Sequence, residues 1–262
     1  MNNSLRAALV AALLLAPAAA VATAQVYVPP PPVTYNQWGF HNTRMGIVRR
    51  SIARRSSGRR AKPTPARKTG PAPKTGGGTT SPAPTGRPAT TPAAGATTFR
   101  PVAASLMPSQ LARGLAKTPA QRADLERFFA KLLDAYTDIL REKGVAPNDV
   151  ARAASYAIAN SYSVFRDGED LSARQMDGLR AQVREALAGD EEFQRLDDRQ
   201  RQELYEGYAI IGMYVFSMHD AAVRAGDREL TAKLRDLARA QLVETYGVPA
   251  DRLRFTEAGI EF

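Results

Sequence analysis

Hydrophobic residues recur at intervals of three and four positions through most of the chain beyond residue 117, which predicts a series of amphipathic helices. Thr118 and Ser172 stand where N-caps are expected, and Asn148 is the candidate cap of the helix between them. Gly144 provides the left-handed residue with which helices commonly end, and Gly189 and Gly247 stand at the ends of two further helices. The five predicted helices cover residues 118–144, 148–165, 172–189, 197–225 and 226–247.

The fourth of these helices is apolar on every side in its middle, because Ile210, Met213, Tyr214 and Phe216 add to its regular stripe. A helix that is hydrophobic all round is typically buried, so we expect it at the centre of the fold. Amphipathic helices with short connections predict an all-α domain, a compact bundle of about five helices over residues 104–262. The segment 252–262 fits either a short strand or an extended strap across the bundle.

The first 24 residues have the three parts of a signal peptide. Arg6 ends a short charged start, residues 7–22 are almost wholly apolar, and Ala22-Thr23-Ala24 provides the small residues that signal peptidase reads. A transmembrane helix is the alternative, but it needs about 20 apolar residues, and Pro17 interrupts the run. We therefore expect cleavage between Ala24 and Gln25, a periplasmic or secreted protein, and no transmembrane helix in the mature chain.

Charge divides the remaining chain into two parts. Residues 25–103 hold 13 Arg and Lys and no Asp or Glu, whereas residues 104–262 hold 22 basic and 26 acidic residues. The first part is also rich in Pro, Thr, Ala and Gly, a composition that cannot bury a core, so we expect a disordered basic arm. The positive net charge of the chain, +10, therefore comes from the arm, and the mildly acidic domain is not expected to bind nucleic acid.

Three arginine pairs form the candidate binding site of the arm. Ile47, Val48 and Ile52 lie before or between them, so a helical arm would be a cationic amphipathic segment able to lie on an anionic surface. As a coil, the same residues would be a solvated linker that raises solubility. In an exported protein the expected partner is an anionic envelope component, contacted through Arg49, Arg50, Arg54, Arg55, Arg59 and Arg60.

A second candidate contact is the segment from Tyr27 to His41, which combines four consecutive prolines with several aromatic residues. A proline run of this kind adopts the extended polyproline conformation. The segment fits the groove of a protein partner, and it fits equally well an additional contact with its own domain. The sequence leaves both alternatives open.

Few residues suggest enzyme chemistry. The chain has no Cys, which excludes disulfides, thiolate nucleophiles and cysteine-ligated metals, and it lacks the motifs of zinc proteases, serine hydrolases and EF-hands. We expect no cofactor and no metal. His219 stands one position off the apolar stripe and is interpreted as a boundary residue, while Asn160, Gln202 and Glu206 are candidates for buried hydrogen bonds that fix packing.

Two carboxylates provide an alternative function. Cleavage of a glycan needs a pair of carboxylates, and Glu203 and Glu206 lie about one helical turn apart. A neighbouring acid could also take part, because Asp190-Glu191-Glu192 and Asp197-Asp198 cluster nearby in the sequence. A periplasmic glycan hydrolase would place them in a concave pocket. The interleaved Arg195, Arg199 and Arg201 favour an ion-paired helix surface instead. The sequence therefore predicts a non-enzymatic envelope binding or interaction protein.

Five stretches of the helical domain carry a resemblance to a known family. They are YTDILR (136–141), NDVARA (148–153), FRDG (165–168), QELYE (202–206) and AIIG (209–212). In these the chain resembles an uncharacterised family of bacterial secreted proteins, whose members share a signal peptide, a variable low-complexity front and a helical domain, here about residues 104–262. The family is known only as a domain of unknown function, so the resemblance implies export and a domain boundary, but no activity, cofactor or catalytic residue.

Overall fold

The computed structural model describes residues 46–53 and 95–262, and eight helices and one β-hairpin lie within those residues. The helices are α1 (46–53), α2 (Met107–Leu115), α3 (Pro119–Glu142), α4 (Val150–Phe165), α5 (Ala173–Ala188), α6 (Glu191–Gln194), α7 (Asp198–Ala225) and α8 (Arg228–Tyr246). A 3-10 turn at Ala250–Arg252 leads into strands β1 (Arg254–Thr256) and β2 (Gly259–Glu261). The described part of the chain is mainly helical, as predicted, but it has more helices than the five expected.

The five predicted helices are present as α3, α4, α5, α7 and α8, and polar side chains set where they begin. The Thr118 side chain accepts a hydrogen bond from the backbone N–H of Gln121 at the start of α3. Ser172 before α5 and Asp197 before α7 each form a capping box with a glutamine three residues further on. Gly226 and Gly247 are the left-handed residues that end α7 and α8, with φ of 69° and 68°.

The cap of α4 differs from the prediction. Asn148 has a φ of 65° and lies in the turn before the helix, and the carboxylate of Asp149 accepts the hydrogen bond from the backbone N–H of Ala151. Asn is one of the few residues that tolerate the left-handed region, which explains its place in this turn. The prediction that Asn148 is the N-cap is therefore wrong by one residue.

α7 lies at the centre of the fold, as predicted, and α4 packs closely along it. A Cβ atom added at Gly212 of α7 would lie 2.9 Å from the Cα atom of Ala157 on α4. At the same crossing, Asn160 Nδ2 donates a hydrogen bond of 3.1 Å to the carbonyl of Gly212. Small residues therefore bring the two backbones together, and the buried hydrogen bond expected for Asn160 is confirmed.

The C-terminal segment is a β-hairpin, one of the two alternatives open from the sequence. β1 and β2 are antiparallel, with Phe255 opposite Ile260. The hairpin packs on α5, where the buried amide of Gln182 donates to the carbonyl of Ile260 at 3.0 Å and accepts from its N–H at 2.8 Å. The Gln182 side chain thus makes both backbone hydrogen bonds of Ile260, which in a larger sheet a neighbouring strand would make.

Two stretches of the expected arm belong to the folded unit. α1 is one, and its contacts are described below. The other begins at residue 95, where Thr98 forms an antiparallel bridge with Asp149 and the buried ring of Phe99 lies 5.4 Å from that of Tyr205. The expected disorder of residues 25–103 does not extend to these residues, because their apolar side chains fill space between the helices.

The remaining N-terminal predictions lie outside the described residues. They are the signal peptide with its cleavage site between Ala24 and Gln25, the Tyr27–His41 segment and most of the basic arm. Among the helices that the structure describes, none combines the length and the apolar composition needed to cross a membrane.

Candidate functional site

α1 lies in a groove of the helical domain formed by α4, α7, α8 and the start of α6, and we call this surface the arm groove. The side chains of Ile47, Val48 and Ile52 are 4%, 0% and 1% exposed, and all three join the hydrophobic core of the domain. Burial of a side chain of this kind contributes roughly 1.5–3 kcal/mol. The apolar side of the basic segment is therefore directed at its own domain.

Ser51 ties α1 to the start of α6. Its hydroxyl donates a hydrogen bond of 2.7 Å to Asp190 Oδ2, and both residues are buried. The other oxygen of Asp190 accepts from the backbone N–H of Phe193, at 2.9 Å, and so caps α6. One buried carboxylate thus holds two elements that are far apart in the sequence.

Arg49 is taken into the arm groove. The residue is 8% exposed, and its guanidinium forms an ion pair with Glu244 of α8. Arg49 and Tyr208 of α7 line the same small void. Burial raises the pKa of Tyr208, and the positive charge of Arg49 opposes this rise. The remaining void between Arg49, Ser161 and Gln241 is about 10 Å³, room for about one water molecule.

Arg50 lies at the edge of the arm groove and remains accessible. Its guanidinium forms a 2.9 Å ion pair with Glu192, and both side chains are about half exposed. An exposed pair of this kind contributes about 0–1 kcal/mol. Arg54, Arg55, Arg59 and Arg60 lie outside the described residues, and the contact of this arginine set with an anionic surface stays a prediction.

The surface next to α1 is acidic. A cleft of about 590 Å³ lies beside Ser51, lined on the domain side by Glu185, Asp190, Glu191 and Glu192, and Arg195 is the one cation among the described residues that line it. Together with Glu244, these carboxylates complement the charge of the arm. Several of the acidic residues of the domain therefore lie next to the surface on which the basic segment packs.

The two carboxylates of the hydrolase alternative have structural roles. Glu206 is 2% exposed, and its Oε2 accepts hydrogen bonds from the backbone N–H groups of Leu106 at 2.7 Å and Met107 at 2.8 Å. Its Oε1 accepts from Gln202 Nε2 at 2.7 Å, so the buried hydrogen bonds expected for both residues are confirmed. Glu206 thereby caps the start of α2 from another helix.

Glu203 does not complete an acid–base pair with Glu206. Its side chain is 12% exposed and faces Arg199 at 3.5 Å and Gln110 Nε2 at 3.3 Å. Neither glutamate lines the acidic cleft or the void under Arg49. The geometry thus lends no support to glycan hydrolysis by these two residues.

His219 is a boundary residue, as predicted. It is half-buried, its Nε2 has no hydrogen-bond partner, and burial lowers its pKa. Within residues 46–53 and 95–262, no three His, Asp or Glu side chains come together in a way that would hold a metal ion.

Sequence reasoning did not foresee the arm groove. The order of Ile47, Val48 and Ile52 among the arginines fits an amphipathic helix on an external surface or a solvated coil, and neither alternative packs these residues against the domain. The missing signal is long-range, because Asp190, Glu192 and Glu244 become neighbours of α1 only when the whole bundle has formed.

No curated protein and no solved structure is significantly similar to this chain. A family model does match, and it extends from residue 3 to residue 262, so the match includes the N-terminal region as well as the helical domain expected from the resemblance. The chain belongs to a family of unknown function, DUF6683.

Proposed function

We propose that the protein is an exported, non-enzymatic interaction protein whose basic arm contacts an anionic component of the cell envelope. The observation that supports this most directly is the docking of α1, which fixes one point of the arm to the surface of the domain. In the sequence, α1 is followed directly by Arg54 and Arg55 and then by Arg59 and Arg60.

The contact that we propose is electrostatic and does not involve insertion into a membrane. The apolar side of α1 is occupied by the arm groove, and Arg49 and Arg50 are paired with Glu244 and Glu192. The four arginines beyond α1 therefore carry the proposed contact. Each basic residue close to an anionic membrane contributes about 1 kcal/mol, and the attraction weakens as salt is added.

Cosedimentation with vesicles tests this proposal. The chain beginning at Gln25 is mixed with vesicles of phosphatidylglycerol and phosphatidylcholine, or of phosphatidylcholine alone, at about 0.05 M and about 0.5 M salt. We expect binding to the anionic vesicles at low salt only. The variant with Gln at Arg54, Arg55, Arg59 and Arg60 loses this binding, and the variant with Lys at these positions keeps most of it.

A matched control distinguishes the effect of where the four arginines stand from the effect of the net charge of the arm. Gln at Lys62, Arg67, Lys68 and Lys74 removes the same four charges further along the arm and is expected to weaken binding less. Equal binding by all variants would overturn the proposal. Substitution is preferable to deletion of residues 44–74, because that deletion would also remove α1 from the core.

A further inference from the structure

The arm groove covers the apolar side chains that would give the basic segment its strongest hold on a membrane. Ile47, Val48 and Ile52 are almost fully buried in the core of the domain. A cationic helix with such an apolar side can lie in the boundary between the headgroups and the acyl chains of an anionic membrane. While α1 is docked, these side chains face the domain and do not reach a membrane.

The arm groove also offsets part of the charge of the arm. Arg49 forms an ion pair with Glu244 inside the groove, and Arg50 forms an ion pair of 2.9 Å with Glu192 at its edge. An arginine that is matched by a carboxylate adds less to the attraction of the arm for a more distant anionic surface, because the two opposite charges largely offset each other. The first of the three arginine pairs is therefore withheld from such a surface.

The acidic surface beside α1 opposes the same contact. Glu185, Glu191 and Glu192 line the cleft next to Ser51. An anionic surface that approaches the docked helix also approaches these carboxylates, and like charges repel within about one Debye length, roughly 8 Å at physiological salt. The docked state therefore combines two paired arginines with an unfavourable electrostatic neighbourhood.

α1 is a short element that can leave the domain without unfolding the rest of it. Residues 54–94 separate it in the sequence from the rest of the folded unit. Ser51 donates to Asp190, and the two arginines pair with Glu244 and Glu192, so three of its polar contacts end on carboxylates. Short elements of this kind open locally at a lower free energy than global unfolding requires. Lipid phosphates bind the same arginines and compete with these carboxylates.

We propose that the docking of α1 in the arm groove is an autoinhibitory contact, which an anionic lipid surface relieves. The docked protein binds such a surface through charge alone, by the arginines beyond α1. In the released state Arg49, Arg50 and the apolar side chains of α1 join the contact. The surface shifts the equilibrium because it binds the released state better than the docked one. This inference rests on the proposed function for its ligand and adds the regulation of that binding.

A release variant of the chain beginning at Gln25 tests the proposal. S51A, E192Q and E244Q together remove the three polar contacts and leave every arginine and every apolar side chain of α1 in place. E126Q with D134N is the matched control, because it also removes two negative charges from the domain, at exposed residues of α3. A difference between the two variants therefore reports the release of α1 and not the net charge of the domain.

Hydrogen exchange without vesicles establishes the state of α1. The amides of residues 50–53 should exchange about tenfold faster or more in the release variant, while exchange in α4 stays as in wild type. The control should match wild type in both places. If the amides of residues 50–53 remain protected in the release variant, D190N is added to it and E142Q to the control, since Asn also caps helices.

Cosedimentation with vesicles of phosphatidylglycerol and phosphatidylcholine then measures binding. We expect the release variant to bind about tenfold more tightly than wild type or better, since each freed arginine close to the surface raises the affinity about fivefold. The control should stay within about twofold of wild type. Part of the gain should persist at about 0.5 M salt, because salt does not screen the burial of apolar side chains.

The proposal is overturned if the release variant, with α1 exposed to exchange, binds no more tightly than the control. In that case the proposed function still stands if the wild-type chain binds and the variant with four Gln in the arm does not. If the wild-type chain fails to bind and the release variant binds, the autoinhibitory contact is supported, and the proposed contact through the arginines beyond α1 alone is wrong.

Discussion

The Ser51 hydroxyl donates a hydrogen bond to Asp190 Oδ2 across 139 residues of sequence, at a distance of 2.7 Å. Because Asp190 also caps α6, this bond attaches the basic segment to the domain at a point where the backbone is already fixed. The docking of α1 therefore combines apolar burial with a buried polar contact of defined geometry.

Ser51→Ala is expected to lower the free energy of unfolding by about 1–2 kcal/mol, since it removes a donor from a buried carboxylate. Asp190→Ala also removes a helix cap and should cost about 2–3 kcal/mol. Urea denaturation of both variants and the double variant should give a coupling of about 0.5–1.5 kcal/mol. Glu191→Ala, at an exposed neighbouring residue, should change stability by less than about 0.5 kcal/mol. Additive effects of Ser51→Ala and Asp190→Ala would contradict the direct bond.

Gly178→Ala should detach the C-terminal hairpin from α5. A Cβ atom at Gly178 would lie 2.2 Å from the carbonyl oxygen of Glu257 and 2.6 Å from its carbon, and backbone atoms cannot rotate away. We expect urea denaturation to show that Gly178→Ala lowers the free energy of unfolding by about 1–3 kcal/mol. Gly207→Ala is the matched control, because nothing lies within 4 Å of its added Cβ. Because Gly207 is an unhindered position within a helix, Gly207→Ala should raise the free energy of unfolding by about 0.5–1 kcal/mol.

Glu206→Ala should destabilise the domain by about 2–5 kcal/mol, because two buried backbone N–H groups lose their acceptor. The effect should be local in the first instance, so hydrogen exchange at the amides of Leu106 and Met107 should accelerate more than exchange in α4. Glu203→Ala removes a carboxylate from the same helix whose neighbours are the side chains of Arg199 and Gln110, and it should cost less than Glu206→Ala. Equal losses in the two variants would rule out the capping role of Glu206.

His219 should make stability fall as the solution becomes mildly acidic. Burial lowers its pKa, Asp167 opposes this, and Arg235 adds to it. The folded state therefore favours the neutral ring. The contribution of the neutral ring to the free energy of unfolding is present in full above the ordinary pKa of about 6.5. It is lost as the pH falls through the lower pKa of the folded state. The urea midpoint should drop between about pH 7.5 and pH 5 in wild type, and the drop should be smaller in His219→Gln. An identical pH profile in the variant would refute this assignment.

Local signals in the sequence account for much of the fold. Thr118 with Pro119 and Ser172 with Gln175 mark helix starts, and Gly226 and Gly247 mark helix ends, because caps act within a single turn. The central position of α7 could be predicted for a similar reason, since it depends on the composition of one segment. Such signals do not always identify the capping residue. Asn148 and Asp149 are adjacent and both suit the N-cap of α4, so the sequence does not show which of them occupies it.

Features that depend on distant residues could not be predicted. α2 has no side-chain cap of its own, and its start is satisfied by Glu206 from another helix. α1 is short and basic. It packs on the domain only because the assembled arm groove brings Asp190 and Glu244 into contact with it. The ion pair of Arg184 on α5 with Asp149 at the start of α4 likewise depends on how these two helices pack, which no spacing within either helix reveals.

The docking of α1 means that the folded unit is assembled from two separate pieces of chain. A cut anywhere between residues 54 and 94 would leave Ile47, Val48 and Ile52 in the core with no peptide bond joining them to the rest. The two fragments should therefore remain associated after limited proteolysis and separate only on denaturation. A shortened chain that begins at residue 95 should recover stability when a peptide of residues 43–56 is added, as in fragment complementation.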